Sequence, residues 1–387
     1  MRKVKIGIIG CGVISHTYIS NIKSMFGWLE IAACADSMKE KAEEVASKYS
    51  IPKACSTEEL LEDDQIDIVI NLTIPAAHTE VNQRILRAGK HVYCEKPFAL
   101  NLKDAKATIE LAKSKGLMIG CAPETFMGAG LQTCRKVIDE GWIGKPISAT
   151  ANMISYGTET WHSSPEFYYK KGSGPMMDMG PYYLTALVSL LGPIRRTACF
   201  SSIGNQTRKI YSNPLRGKSI EVEVPTTYTG IMEFESGVHA NINMSFDIWM
   251  STLPKLEIYG TEGTLIVPDP NMFGGQVKIF RKEKVLDSLN LYGGNTKPYT
   301  TDFEHLQEIP QVYQQPLEYM RGMGVLDMAF ALVNGRKHRT NEEMILHVTE
   351  ALLSFDTIAN DNATYQMTTT CSRPDPMPRD LEIGELD

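Results

Sequence analysis

The run Val4–Ile9 ends in Gly10-Cys11-Gly12-Val13-Ile14-Ser15, and this junction constrains the chain more than any other stretch. A short, β-branched, apolar strand that breaks on G-x-G-x-x-S and enters a helix predicts a turn built to approach an anion. Gly10 permits the tight turn, and Gly12 lets the backbone come close to a pyrophosphate. The helix opening at Val13 and Ile14 aims its unpaired N–H groups at that anion. Ser15 is small enough for close helix–strand packing. By itself G-x-G-x-x-S is weak, because any glycine turn reads the same way.

The next strand supplies context. Leu29–Ala35 is apolar and ends in Asp36, some ~20–25 residues past the glycines, where an acidic residue holds the ribose hydroxyls of NAD. Asp36 would repel a 2′-phosphate, and Ser37 and Met38 bring no arginine to hold one. NAD is therefore expected over NADP, with Lys39 the one nearby cation on the other side of the argument. A helix follows over Lys39–Tyr49, and Ser56-x-x-Glu59 reads as a capping box. The continuous apolar run Ile66–Leu72 suits a parallel strand covered on both faces. Ligands bind at the carboxyl ends of such strands, so Thr73 and Pro75 are expected along the cofactor. His78 reads equally as a residue at a helix start near the nucleotide and as plain packing. Strand and helix continue to alternate through a helix over Leu102–Lys115 and a strand over Leu117–Cys121. That predicts a doubly wound parallel sheet with right-handed crossovers.

At 387 residues the chain is long enough for two domains, and 43% apolar with 22% charged content is ordinary for a globular protein. A net charge of −7 argues against a nucleic-acid surface. The eight cysteines form no C-x-x-C pair, so they read as buried thiols of a reducing compartment, with no metal site. No apolar run is long enough to span a bilayer, and the N-terminus lacks signal-peptide architecture. A cytoplasmic protein is expected.

Ala88-Gly89-Lys90-His91-Val92 leads through Tyr93-Cys94 into Glu95-Lys96-Pro97. Together with Gly10-x-Gly12, this string resembles the Gfo/Idh/MocA oxidoreductases, named for glucose–fructose oxidoreductase, inositol dehydrogenase and a rhizopine-catabolism protein. The resemblance covers essentially the whole chain. It implies an N-terminal Rossmann domain (1–122) and a C-terminal α/β domain (123–387) with a large open, mostly antiparallel sheet. That sheet often serves as an oligomer interface, so a homodimer or homotetramer is expected. It also implies that Lys96 stands at the nicotinamide and the reacting hydroxyl, with Glu95 beside it. Family members act on sugars, inositols and their derivatives with NAD or NADP.

A strand over Ile147–Tyr156 starts the second domain, and its later stretches alternate with period two over Tyr228–Phe234, Val238–Phe246, Lys255–Tyr259, Thr264–Val267 and Val277–Phe280, which predicts an antiparallel meander. Two late helices are expected over 317–334 and 341–360, and a proline-rich tail from Ser372 in extended form. The segment Gly172–Leu184 corresponds to the family's D-x-G-x-H, which contributes Asp and His to the active site. Asp178 and Gly180 match, but Tyr182 stands where the histidine belongs, so an Asp–Lys–His account does not transfer whole. Pro181 is read as marking a helix start, with Asp178 just before it.

Nicotinamide performs hydride transfer, and the protein must position the carbon and move one proton. Lys96 is the expected base if desolvation and the nicotinamide charge lower its pKa. Glu95 would oppose that, and is expected to point away and fix the backbone or the cofactor side. Tyr182 is a second candidate, as hydrogen-bond donor or relay, or else a packed aromatic. Asp178 is read as an orienter of substrate hydroxyls, or as a helix cap. Trp161 and His162, and Glu124 after the sixth strand, complete the expected substrate surface. His162 is an alternative replacement for the missing histidine. The leading expectation is an NAD-dependent dehydrogenase of a secondary hydroxyl on a sugar, cyclitol or glycoside. The rivals are glycoside cleavage through transient oxidation with retained NAD, and a nucleotide-binding regulator without catalysis.

Overall fold

Six short strands alternate with helices at the start of the chain because each apolar run is bounded by a glycine turn or a capped helix. β1 (Val4–Ile9), α1 (Val13–Met25), β2 (Leu29–Ala35), α2 (Lys39–Tyr49), β3 (Lys53–Cys55), α3 (Thr57–Leu61), β4 (Ile68–Asn71), α4 (His78–Arg87), β5 (His91–Cys94), α5 (Leu102–Ser114) and β6 (Ile119–Cys121) follow in that order. The computed structural model describes residues 3–284, 286, 306–314, 319–359, 361, 363–379 and 386. The strands pair in parallel in the order β3-β2-β1-β4-β5-β6. The order reverses between β1 and β4, which is where such sheets bind ligands. Ile68, Val69 and Ile70 have no solvent exposure, as a strand covered on both faces requires. The capping box is present: the Ser56 hydroxyl accepts from the Glu59 amide and the Glu59 carboxylate accepts from the Ser56 amide.

The remaining elements are α6 (Ala129–Asp139), β7 (Pro146–Ile154), α7 (Gly174–Leu191), β8 (Ile194–Ser202), β9 (Thr207–Lys209), β10 (Ser219–Glu221), β11 (Thr227–Phe234), β12 (His239–Ser245), β13 (Leu256–Gly260), β14 (Gly263–Val267), β15 (Val277–Arg281) and β16 (Gln307–Ile309). After these come α8 (Met323–Asn334), α9 (Glu342–Ile358) and β17 (Tyr365–Gln366). Among the described residues, nine strands form one sheet in the order β16-β15-β14-β13-β7-β12-β11-β8-β17. Its pairs are antiparallel except β7–β12, which is parallel. The expected meander is therefore interrupted. β11 and β12 form a hairpin, and β13 and β14 another, with β7 seated between the two. Alternation along a strand reports which face is buried, and says nothing about which neighbour it pairs with.

Two further expectations are corrected. Helix α7 begins at Gly174 with Pro175 in its first turn, and Pro181 lies inside it. Asp178 is thus within the helix rather than ahead of it. Pro181 removes one backbone hydrogen bond, but every residue of α7 except Asp178 and Met179 is buried, so packing carries the helix past the proline. The late helices are shorter than expected, and residues 317, 318 and 360 of those expectations lie outside the described residues.

The chain divides into two compact units: 1–127 with 319–353 and 368–387, and 128–318 with 354–367. This differs from a single cut after residue 122, because the chain returns to the first unit after the nine-stranded sheet. Close packing shows why. A Cβ at Gly324 of α8 would stand 2.2 Å from the Tyr93 hydroxyl, and a Cβ at Gly120 of β6 would stand 2.6 Å from Met328 of α8. The tail is tied to the same unit, as the Arg339 guanidinium donates to the carbonyls of Asp375 and Pro376. All eight cysteines are buried and none forms a disulfide. No described helix is long and apolar enough to cross a membrane.

Candidate active site

In the first unit the carboxyl ends of β1, β2, β4 and β5 carry the predicted residues. Gly10 has φ +102°, and a Cβ there would come within 2.6 Å of the Leu72 backbone. Gly12 differs: a Cβ added to it meets nothing within 4 Å. It is the N-cap of α1, which has no side-chain cap, and Val13 behind it is 90% exposed. Ile14 is half-buried and Ser15 is fully buried. An open space above an uncapped helix N-terminus fits a pyrophosphate.

Asp36 closes this turn from the side. One carboxylate oxygen accepts from the Cys11 amide at 2.8 Å and the other from the Met38 amide at 2.9 Å. The carboxylate is therefore fixed at the end of β2, where ribose hydroxyls are expected. Lys39 pairs instead with Glu43 at 3.3 Å, in solvent. Thr73 and Pro75 follow β4. The Thr73 amide and hydroxyl both donate to the Asn71 side chain, at 3.2 and 2.7 Å. Pro75 opens a single 3-10 turn leading into α4. These groups suit NAD, which supplies the hydride acceptor when bound.

Lys96 follows β5 and is half-buried. Its own amide donates to Glu95 at 2.9 Å, and the other Glu95 oxygen accepts from the Tyr18 hydroxyl at 2.9 Å. Glu95 thus holds backbone, with both oxygens engaged inside the unit. Burial, then the nearby Glu124 and Glu95, push the Tyr18 phenol well above its usual pKa, so it remains a neutral donor. Tyr18 had no signal in the sequence. Its position on α1 reads as a core aromatic, and its partner lies 77 residues away.

Two residues of the expected site, Glu124 and His78, are enclosed by protein. Glu124 is fully buried, accepts from the Tyr93 hydroxyl at 3.0 Å and from the Gly322 amide at 2.9 Å, and lies 3.7 Å from Arg321. Burial raises its pKa, opposed by Arg321. Its carboxylate is held among interior partners. His78 is 1% exposed, and its two ring nitrogens face the Pro97 and Thr73 carbonyls at 2.7 and 2.9 Å. Both nitrogens of the imidazole are thus turned to backbone.

In the second unit, Asp178 is half-buried and Tyr182 is 5% exposed, one turn apart on α7. Four residues along a helix share one face. Trp161 is 67% exposed, and its ring meets that of His162 edge-on at 5.3 Å. His162 also lies against Phe167 and Tyr168, and its Nδ1 accepts from the Ser164 amide at 3.0 Å. The segment bearing these rings is anchored by a group the sequence did not single out. Arg208, without solvent exposure, pairs with Glu159 at 2.7 Å and Asp247 at 2.5 Å and donates to the Phe246 carbonyl at 2.7 Å. Its guanidinium also stacks on Tyr156, which stacks in turn on exposed Trp249. Only the fold brings these scattered residues together. Among the described residues no His, Cys, Asp and Glu group could hold a metal.

A parallel sheet of this order, an open glycine turn at its first strand and a fixed carboxylate at its second define a dinucleotide-binding protein. The chain belongs to the GFO/IDH/MocA oxidoreductases: residues 4–122 match the model of that oxidoreductase family's NAD-binding Rossmann fold, and residues 131–266 match its C-terminal domain. It is 26% identical over 267 residues to scyllo-inositol 2-dehydrogenase (NAD(+)) of Bacillus subtilis, covering 69% of this chain and 74% of that protein. It is 28% identical over 268 residues to 1,5-anhydro-D-fructose reductase of Ensifer adhaerens, covering 67% and 74%. The fold matches the crystal structure of an NAD-binding oxidoreductase from Klebsiella pneumoniae with a TM-score of 0.76 at 22% identity, over 94% of this chain and 99% of that one.

Proposed function

We propose that this protein is an NAD-dependent dehydrogenase of a secondary hydroxyl on a sugar, cyclitol or glycoside, with Lys96 taking the hydroxyl proton. One observation carries the reading. The Lys96 amide is locked to Glu95, and Glu95 is locked to Tyr18 on the helix whose N-terminus forms the anion turn. A base must be fixed relative to the cofactor to act on a bound carbon, and this chain of two hydrogen bonds supports the reading by holding the backbone from which the Lys96 side chain extends. Asp36, fixed at the end of β2, favours the ribose diol of NAD over a 2′-phosphate, and Lys39 is engaged by Glu43.

Asp178 and Tyr182 share one face of α7 and are proposed to hold substrate hydroxyls, Asp178 as acceptor and Tyr182 as donor. Trp161 offers an exposed ring of the kind that stacks on sugars. Relatives named for inositol and anhydrofructose chemistry support a polyol or cyclic sugar as substrate. The nine-stranded sheet exposes Phe200 and Ile231 on one face, and we propose that this face pairs with a second copy in the cytoplasm. The test is the near-ultraviolet absorbance of reduced nicotinamide. Protein with NAD or NADP is mixed with scyllo-inositol, myo-inositol, free aldoses and alkyl glycosides. Growth with NAD and one ligand class, abolished in Lys96→Ala, supports the reading. A silent panel, or an unaffected Lys96→Ala, rejects it.

A further inference from the structure

His78 is fully enclosed, and each ring nitrogen meets a backbone carbonyl oxygen: Nδ1 to Pro97 at 2.7 Å and Nε2 to Thr73 at 2.9 Å. A carbonyl oxygen accepts and cannot donate. A neutral imidazole carries one N–H, so one of these contacts would set two lone pairs against each other inside the protein. Only the doubly protonated ring satisfies both.

The two carbonyls belong to different loops. Thr73 follows β4 and stands where the cofactor is expected. Pro97 directly follows Lys96. We infer that His78 is a buried imidazolium that ties the loop after β4 to the loop carrying Lys96, and so is a positioning residue for that lysine. The inference rests on the reading of Lys96 as the reactive side chain.

The surroundings support a charged ring. Burial pulls the His78 pKa down, but Cys94 and the Pro97 and Thr73 carbonyls more than reverse this and leave it raised to about 9. Cys94, the last residue of β5, is the titratable group facing the ring. Burial opposes its ionisation, while Cys121, His78 and Asn82 favour it. The Asn71 side chain fastens the same corner, donating to the Asn82 side chain at 2.8 Å and to the His78 carbonyl at 3.2 Å. The imidazolium is a short, rigid link with two charge-assisted hydrogen bonds, each roughly twice as strong as a neutral one.

The test uses the full chain and needs no substrate. In protein labelled with 15N-histidine, the His78 ring signals are assigned by their loss in His78→Gln. Both nitrogens are expected in the protonated state at pH 7. An unprotonated nitrogen overturns the charged tie. The position of Lys96 is read by reductive 13C-methylation, its signal assigned with Lys96→Arg. His78→Asn keeps a donor near the Nδ1 position and is expected to leave the Lys96 signal near its wild-type shift. His78→Gln and His78→Leu lose the Pro97 contact and are expected to move or broaden it. An unchanged Lys96 signal in His78→Gln overturns the positioning role, even if His78→Leu fails to fold. A silent dehydrogenase screen leaves both readouts intact, so failure of the two readings is separable.

Discussion

The Tyr18 hydroxyl donates to a Glu95 oxygen at 2.9 Å, and the other oxygen of Glu95 accepts from the amide of Lys96. Helix α1 and the Lys96 loop are thereby held through one carboxylate. Tyr18→Phe leaves a buried Glu95 oxygen without its donor, at a cost of about 1–3 kcal/mol. Urea denaturation is expected to show that loss. Turnover is expected to fall further than stability alone explains, because Lys96 loses its anchor. A variant with wild-type stability would show that the contact carries no energy.

Gly10 and Gly12 are expected to separate folding from binding. Gly10→Ala forces an unfavourable φ and a backbone clash, so its melting temperature drops. Gly12 has φ −81° and open space around it, so Gly12→Ala folds normally. Its methyl group fills the space a pyrophosphate needs, and NAD affinity measured by calorimetry falls at least tenfold. Equal NAD affinity in Gly12→Ala and wild type would place the nucleotide elsewhere.

Asp36→Ala is expected to weaken NAD and narrow the preference over NADP, since the fixed carboxylate is lost. The ratio of the two dissociation constants is the measurement. The Cys11 amide also loses its acceptor, so a small fall in melting temperature accompanies the change.

Arg208 lies between Glu159 and Asp247 without exposure. Arg208→Met removes the cation and leaves Glu159 buried without a countercharge beside the Tyr169 hydroxyl, a loss of about 3–5 kcal/mol. Chemical denaturation followed by tryptophan fluorescence reads it. Burial is also why a hydrophobic replacement of the whole cluster is expected to cost much less than this single change.

His338 is held down to about 4 by burial, against the opposing pull of Asp327 and Glu342. Its folded pKa lies below its unfolded one, so the native state keeps the ring neutral. Its contribution to stability is complete above about pH 6.5 and is lost as pH falls toward about 4, where the unfolded chain has already taken the proton. Between pH 7 and 5 the wild type is expected to lose about 2 kcal/mol relative to His338→Leu. Paired urea titrations at the two pH values check this. An identical pH response in both proteins would contradict it.

The glycine turn, Asp36, the capping box and the strand–helix alternation were legible because each is local: spacing along the chain determines the geometry. The family resemblance supplied Lys96 and the departure at Tyr182. Other features depended on partners distant in sequence. Glu124 follows a strand end, as a site residue would, yet Tyr93, Arg321 and Gly322 enclose it. His78 follows the cofactor-side loop, but its ring turns inward to backbone carbonyls that carry no sequence signature. Pro181 resembled a helix start because the rule for proline is local, and it yields where the whole helix is packed. The parallel pairing of β7 with β12 joins residues about ninety positions apart, beyond anything alternation reports.

The return of the chain to its first unit has a consequence for synthesis. Glu124 is in place once β6 is made, but its cation and its backbone donor come from Arg321 and Gly322. While a ribosome builds the nine-stranded sheet, the nucleotide-binding half stands with an acid that has no countercharge and with the α8-facing side of Tyr93 and Gly120 uncovered. A fragment ending at Met127 would keep Gly10, Gly12 and Asp36 and still lack its closing piece. The first part of the chain to be translated is thus among the last to be finished.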